Sequence, residues 1–415
     1  MSTVFFLFAL LCALLSWNLF RPVLRQPILS IASFLTGWLV GELVQYAFLV
    51  ELLLLLAFIA GGVVTGFWGA MGVLLVVAAW LGMGYYAFRA TRCADEADEA
   101  LCEGLGEDYL EAIDNSLQSH LDAPLDLDRL KRPFRMHLPG VERIKDIEFH
   151  REPECRLMLD LYRPRQVPEK APVLVQIHGG GWTEKMGSKN EQGLPLMNEL
   201  ASLGWVCVAL SYRLSPTWKL PAHAIDCKRG LAWVKEHIAE YGGDPDFVVI
   251  TGGSAGGHLC SLLALTQNRP DLQPGFEEVD TSVQACVSFY GVYDLANEHG
   301  LHNNLSISGY MESTVAGRPP LVDIDFYRAL SPLANITAEA PPFMVIHGTK
   351  DSLTAFPEGE YFARELQQTS QQPVVFLPVS DAQHAFDMFH SLRSEQVLRA
   401  VVAFVSWVRA RRTAT

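Results

Sequence analysis

The stretch Gly252-Gly253-Ser254-Ala255-Gly256-Gly257 most limits how this chain can fold. A β-branched apolar run, Phe247 to Thr251, leads into it, and Leu259, Leu262, Leu263 and Leu265 follow it at helical spacing. A buried strand therefore turns sharply into a helix, with a serine at the apex of the turn. Such a turn crowds the residues two before and two after the serine, so both must lack side chains, and here they are Gly252 and Gly256. Gly257 lets the helix lie close to the sheet. A strand-turn-helix of this kind belongs in a mostly parallel sheet flanked by helices.

A serine hydroxyl is a weak nucleophile at neutral pH. It needs a base in hydrogen-bond reach, an acid to orient that base, and donors for a developing oxyanion. After a strand-to-helix serine the chain order is serine, acid, histidine. Of the twelve histidines only His347, His384 and His390 lie well downstream in suitable context. Pro342 to His347 reads as a strand ending in a turn that carries Asp351, the expected acid. A helix over Glu358 to Gln368 and a strand over Val374 to Val379 follow, and the next loop holds His384, the expected base. His347 is expected to pack at its strand end and His390 to be a surface or capping residue. Asp381 and Asp387 are the rival carboxylates, but they share the His384 loop or the helix after it.

The strand Pro172 to Ile177 runs directly into His178-Gly179-Gly180-Gly181-Trp182. Without side chains in the way, the backbone N–H groups of this loop can approach a reacting carbonyl and join that of Ala255. Such donors are each worth ~3 kcal/mol of transition-state stabilisation. His178 is expected to order this loop, because it lies upstream of the serine.

These segments, with Ser211 to Pro216, Tyr241 to Pro245 and His347 to Asp351, resemble the α/β-hydrolases of the hormone-sensitive-lipase and carboxylesterase group, including its BD-FAE-like and methylesterase-like members. The resemblance covers the chain from about Val141 to its end. It implies an α/β-hydrolase fold with an eight-stranded sheet, and ester hydrolysis through an acyl-enzyme: Ser254 as nucleophile, His384 as base, Asp351 as acid, and Gly180, Gly181 and Ala255 as oxyanion donors. The sequence shows no Walker-type loop and no paired-cysteine metal spacing, so no cofactor and no metal is expected. Lipase-type members carry an aspartate just before the nucleophile, whereas this chain has Gly253, as do methylesterase-like and arylformamidase-like relatives. Substrate class stays open, and an amidase or peptidase with the same residues is the nearest variant.

Half of the 415 residues are hydrophobic, and the excess lies at the front. Val4 to Phe20 carries no charge, and Ile28 to Phe88 carries only Glu42 and Glu51. About 20 helical residues cross a bilayer core of about 30 Å, so residues 1–90 are expected to be transmembrane, with three spans or possibly four. The candidates are Val4 to Phe20, Ile28 to Ala60 as one tilted helix or two short ones meeting near Gly41-Glu42, and Phe67 to Phe88. No cleavage site of the Ala-x-Ala kind is evident, so the first run reads as an anchor. Arg21 and Arg25 flank the first span and Arg89 and Arg92 the last. With three spans, the positive-inside rule puts the catalytic domain in the cytoplasm. Cys207, Cys260 and Cys286 fall in core elements and no disulfide framework is visible, which agrees. Asn304-Leu305-Ser306 and Asn335-Ile336-Thr337 match the glycosylation sequon, which matters only in a secretory lumen. Glu42 and Glu51 are expected near an interface or within a helix bundle; a transporter that uses them, or a non-enzymatic binding module, is the alternative function class.

Residues 91–140 form a charged joint. Leu105, Tyr109, Ile113, Leu117 and Leu121 recur every four residues opposite an acidic face, predicting an amphipathic helix that packs over the catalytic domain as part of a cap. The catalytic domain spans 141–415, with a lid or cap insertion expected around 296–340. Its remaining strands are expected near Ile144 to Phe149, Arg156 to Tyr162, Trp205 to Leu210 and Ala285 to Phe289. Arg213 and Asp226 form a candidate ion pair. A net charge of -14 disfavours nucleic acid as a partner, and the expected partners are a small-molecule or lipid ester and the bilayer.

Overall fold

The structure, a computed structural model, describes residues 2–24, 26–302, 306–320 and 322–413; Arg25, Asn304 and Leu305 lie outside the described residues. Eight strands form one sheet: β1 (Val141–Glu152), β2 (Cys155–Pro164), β3 (Ala171–Ile177), β4 (Val206–Leu210), β5 (Gly243–Gly253), β6 (Ala285–Phe289), β7 (Phe343–Gly348) and β8 (Val374–Val379). Their order is β1-β2-β4-β3-β5-β6-β7-β8. β2 runs antiparallel to both neighbours, and every later pairing is parallel. Every residue of β3, β4 and β6 is buried, because helices cover both faces of a parallel sheet. All eight strands stand where the sequence pattern puts them.

The register sets the site. Ile177 pairs with Gly252, Gly253 with Phe289, Phe289 with Ile346, and Gly348 with Val379. The strands that lead to His178, Ser254, Tyr290, Asp351 and His384 therefore end side by side on one rim, the carboxyl edge where open parallel sheets bind ligands. Two apolar clusters pack the sheet's two faces. One is built around Val175, Ile250 and Leu259, and the other around Leu174, Val249 and Phe404.

The chain opens with the helices α1 (Ser2–Phe20), α2 (Pro27–Glu42), α3 (Val44–Ala60), α4 (Gly66–Ala90) and α5 (Cys93–Leu105). α1 and α4 lie parallel, with the Phe5 ring against Gly72 and Ser16 Oγ donating to the Ala79 carbonyl at 3.1 Å. α3 runs the opposite way: Phe58 packs on Phe5 and Phe8, while Phe48 and Glu51 meet Trp80. Among the described residues, Ser2–Phe20 and the run Gly66–Leu105 are long and apolar enough to cross a membrane, with a third candidate if the bent pair counts as one. The Ile28–Ala60 stretch is two helices at 92°, which decides between the two readings of that stretch in favour of two short helices. The bend falls at Leu43, next to Gly41-Glu42.

Residues 91–140 depart from the expected single helix. Gly106, at φ +101°, stops α5, and a 3-10 turn (Tyr109–Ala112) and a short helix capped by Asp114 (Asn115–Leu121) follow. The four-residue recurrence is real, but a glycine in this conformation cannot continue a helix. α5 packs on β8 and on the C-terminal helix Leu392–Thr413, so it braces the domain's side. The insertion around 296–340 holds the helices Ser306–Tyr310 and Ile324–Leu330 with a π-helical turn, Met311–Ala316, and leans over the glycine loop through Tyr310, whose hydroxyl donates to the Gly181 carbonyl at 2.6 Å.

The helical region is bolted to the sheet domain by polar contacts. Arg89 pairs with Asp381 at 2.9 Å, and Tyr86 Oη donates to the Asp381 carbonyl. Buried Arg393 meets Glu42 at 3.3 Å and lies over the Tyr86 ring, and Ser391 Oγ donates to Glu42 at 2.7 Å. Glu51 accepts from Trp80 Nε1, so neither carboxylate of the apolar region stands unpartnered. A cavity of about 680 Å³ opens beside this joint, between Tyr46, Leu49, Leu130 and Leu392; it contains none of the predicted catalytic residues.

Candidate active site

Ser254 caps the helix Ala255–Leu265 with φ +58° and ψ -120°, a region that L-residues avoid. The turn holds it there because there is no room to relax. A Cβ at Gly252 would collide with the Gly256 carbonyl, and one at Gly256 with the carbonyl of Ile177. Ser254 N donates to the Phe289 carbonyl at 3.0 Å, which fixes the apex to the end of β6.

Asp351 and His384 meet as the sequence order requires: His384 Nδ1 lies 2.7 Å from Asp351 Oδ2. The carboxylate is saturated. Its Oδ1 accepts the N–H groups of Leu353 and Thr354, both at 2.8 Å, and its Oδ2 accepts Thr354 Oγ1 at 2.9 Å. Burial disfavours its charge, but the facing His384 and His347 more than offset this, and the carboxyl is held well below its ordinary range. Asp351 is thus an anion across the neutral range, fit to hold Nδ1–H and leave Nε2 free as a base. The Ser254 hydroxyl makes no hydrogen bond to His384 among the described residues. Such contacts are often long in substrate-free enzymes and tighten around substrate.

The rivals are committed elsewhere. Asp381 belongs to Arg89, and Asp387 accepts the Tyr290 hydroxyl. His347 is buried at its strand end, near the Thr354 carbonyl at 3.3 Å, as expected. His390 is not on the surface: it is 2% exposed and paired with Glu395, because the chain before the last helix folds inward.

The glycine loop stands against the serine. A Cβ at Gly179 would come within 3.2 Å of Ser254 Cβ, and Gly179 N is tied to Gln192 Oε1. Gly180 and Gly181 have φ of +105° and +58°. The N–H groups of Gly180, Gly181 and Ala255 make no backbone hydrogen bond among the described residues, which leaves three donors of the loop and the turn unspent. His178 orders the loop, with Nδ1 at 2.8 Å from the Gly179 carbonyl and its ring stacked on Tyr212.

Tyr290, Thr354 and Gln383 were not legible as site residues. Tyr290 follows β6, and its ring lies 4.5 Å from that of His384. It also explains Gly253: a Cβ there would meet the Tyr290 ring at 2.9 Å, leaving no space for the aspartate of lipase-type relatives. Thr354 touches Asp351, His347 and His384 Nδ1, and its three-residue spacing from Asp351 was the available signal, that of an Asx turn. Gln383 Oε1 accepts from Ser352 N and Oγ and from His384 N, which ties the acid loop to the base loop. Beneath the site Arg213 and Asp226 form the expected ion pair, bidentate at 2.8 and 2.7 Å.

The profile of the BD-FAE family matches residues 159–366. The chain belongs to that family. It is 51% identical over 240 residues to the probable carboxylic ester hydrolase LipM of Mycobacterium tuberculosis, covering 58% of this chain and 55% of that one. It is 38% identical to the esterase LipQ of the same organism, over 78% of each chain. Among solved structures it resembles apo Thermogutta terrifontis esterase 2, with a TM-score of 0.53 and 26% identity over 64% of this chain and 92% of that one. The chain thus spans little more than half of LipM. The sheet and these relatives make this an α/β-hydrolase of the carboxylesterase group.

Three buried histidines near the loop give the domain an acid limit. Burial pushes His178 and His258 down to about 4 and His223 to about 3, so all three are neutral when folded. The unfolded chain takes up their protons near the ordinary histidine value of 6.5. Their contribution to stability is therefore complete above that pH and declines as pH falls toward 4, by up to ~1.4 kcal/mol per pH unit for each. Thermal melts are expected to show a steady fall in Tm from pH 7 to pH 4.5; an unchanged Tm would mean that these rings accept protons in place.

Proposed function

We propose that this protein is a membrane-anchored serine hydrolase that cleaves carboxylic esters, with lipophilic esters as its substrate class. The observation that carries this reading is the hydrogen-bonded Asp351–His384 pair on the same sheet rim as the strained Ser254 and its unspent N–H donors. Ser254 Oγ attacks the ester carbonyl carbon while its proton passes to His384 Nε2. The N–H groups of Gly180, Gly181 and Ala255 take the oxyanion. Collapse expels the alcohol, which receives the proton from His384, and leaves the acyl group on Ser254. Water then attacks, His384 again accepts the proton, and the carboxylic acid leaves as Ser254 is regenerated. Asp351 holds the imidazole through both halves.

α1, α3 and α4 serve as three spans, with the Arg21, Arg89 and Arg92 ends at the hydrolase side; this supports a cytoplasmic catalytic domain. The eight cysteines are free, Cys260 and Cys286 among them although their sulfurs lie 3.8 Å apart, which fits a reducing compartment. The relatives' names as esterases support ester over amide chemistry. Full-length protein in detergent, assayed on p-nitrophenyl esters of rising acyl length and on the matching anilides, is expected to turn over the esters far faster and to favour longer chains. Comparable rates on anilides would instead establish an amidase.

A further inference from the structure

α2 is built inside out. Its buried side is small or polar: Ser30, Ser33, Gly37, Gly41 and Glu42. Its other side presents Ile28, Ile31, Leu35 and Leu39, exposed by 83, 54, 44 and 43%. A helix bathed in water orders these faces the other way, and an apolar stripe of this extent needs an apolar partner. α2 packs on α1 and α4, whose outward faces are also apolar, with Leu7, Leu14, Leu74 and Leu81 exposed. Continuity with those faces, and the 92° turn between α2 and α3, lay α2 across the bundle end, crosswise to the helices that fit a membrane span.

The buried side rests on the catalytic loops. Ser352 Oγ, one residue past Asp351, donates to the Ser30 carbonyl at 3.3 Å. Gly37 sits over Gln383, where a Cβ would lie 3.3 Å from the Gln383 Cγ, one residue before His384. Between them the Phe34 ring stands 6.0 Å from the His384 ring, edge to face at 79°. Asn18 of α1 clamps this arrangement by bonding Ser33 at 2.6 and 2.8 Å and Thr36 at 3.1 Å. His384 is thus enclosed by Tyr290 on one side and Phe34 on the other.

We propose that α2 is the roof of the substrate site, seated in the membrane interface, and that Phe34 selects esters whose hydrocarbon tail reaches Ser254 from the bilayer beneath it. This rests on the esterase reading and adds to it the route and the selecting residue. The outward face of α2 meets lipid tails, while its inward face shapes the mouth next to the base. A tail entering there leaves the bilayer without crossing water, and the van der Waals surface it meets first is an aromatic ring on the roof.

The test uses the full chain in phosphatidylcholine vesicles, with p-nitrophenyl palmitate dissolved in the bilayer and p-nitrophenyl acetate in the water. Phe34→Ala is expected to change the palmitate-to-acetate ratio of kcat/KM by roughly tenfold, the scale on which a remodelled apolar pocket discriminates chain length. Ile31→Asn with Leu35→Asn, on the exposed face of α2, is expected to lower the same ratio by a similar factor by lifting α2 from the lipid; it keeps the test open if Phe34→Ala does not fold. Unchanged ratios in folded variants of a wild type that reacts with a fluorophosphonate overturn the roof and leave the esterase reading standing. A wild type that neither reacts with the probe nor cleaves either ester takes down both.

Discussion

Ser254→Ala is expected to reduce kcat for ester hydrolysis by about 10⁵ to 10⁶, the scale of loss when the nucleophile of a serine hydrolase is removed. The residual rate over water would come from the oxyanion donors and substrate binding alone. The substitution is mild for the fold, because the backbone that holds φ +58° is fixed by Gly252, Gly256 and the Phe289 carbonyl rather than by the hydroxyl. The melting temperature is accordingly expected to stay near that of the wild type, or to rise as the strained polar side chain is lost. A variant that melts normally but keeps a substantial fraction of its turnover would place the nucleophile elsewhere.

Asp351→Asn is expected to cost about 10⁴ in kcat, through the wrong histidine tautomer. An amide in place of Oδ2 offers an N–H to His384 Nδ1, so the ring must carry its own proton on Nε2 and cannot take one from Ser254. The amide oxygen can still accept the N–H groups of Leu353 and Thr354, so the turn survives. Asp387→Asn and Asp381→Asn are expected to have far smaller effects, since those carboxylates serve Tyr290 and Arg89. Steady-state kinetics of the three variants side by side decides the acid. Equal losses in all three would show that the loop, rather than one carboxylate, carries the effect.

Much of this arrangement was legible because its signals are local. The glycines around Ser254 announce a crowded turn, the Gly-Gly-Gly run announces a bare backbone, and the serine-acid-histidine order leaves Asp351 and His384 as the pair. The eight strands were readable for a related reason: a sheet buried on both faces needs uninterrupted apolar runs such as Val206 to Leu210. What stayed open or was misread has physical causes as well. Apolar composition describes a helix in lipid equally well whether it crosses the bilayer or lies along it, so nothing in Ile28 to Ala60 alone could choose between one tilted span and the turn at Leu43. The four-residue recurrence from Leu105 to Leu121 persists through Gly106, where backbone conformation overrides periodicity. His390 and Tyr290 owe their places to partners nearly a hundred residues away or to the fold of the chain end, which no window of sequence reports.

The most direct measurement is the site of covalent capture. Full-length protein in detergent, treated with a fluorophosphonate and mapped by mass spectrometry after digestion, is expected to carry one adduct, on the peptide containing Ser254, with loss of ester hydrolysis in step with labelling. Adduct on any other residue, or hydrolysis that persists after Ser254 is fully modified, would contradict the assignment of the nucleophile.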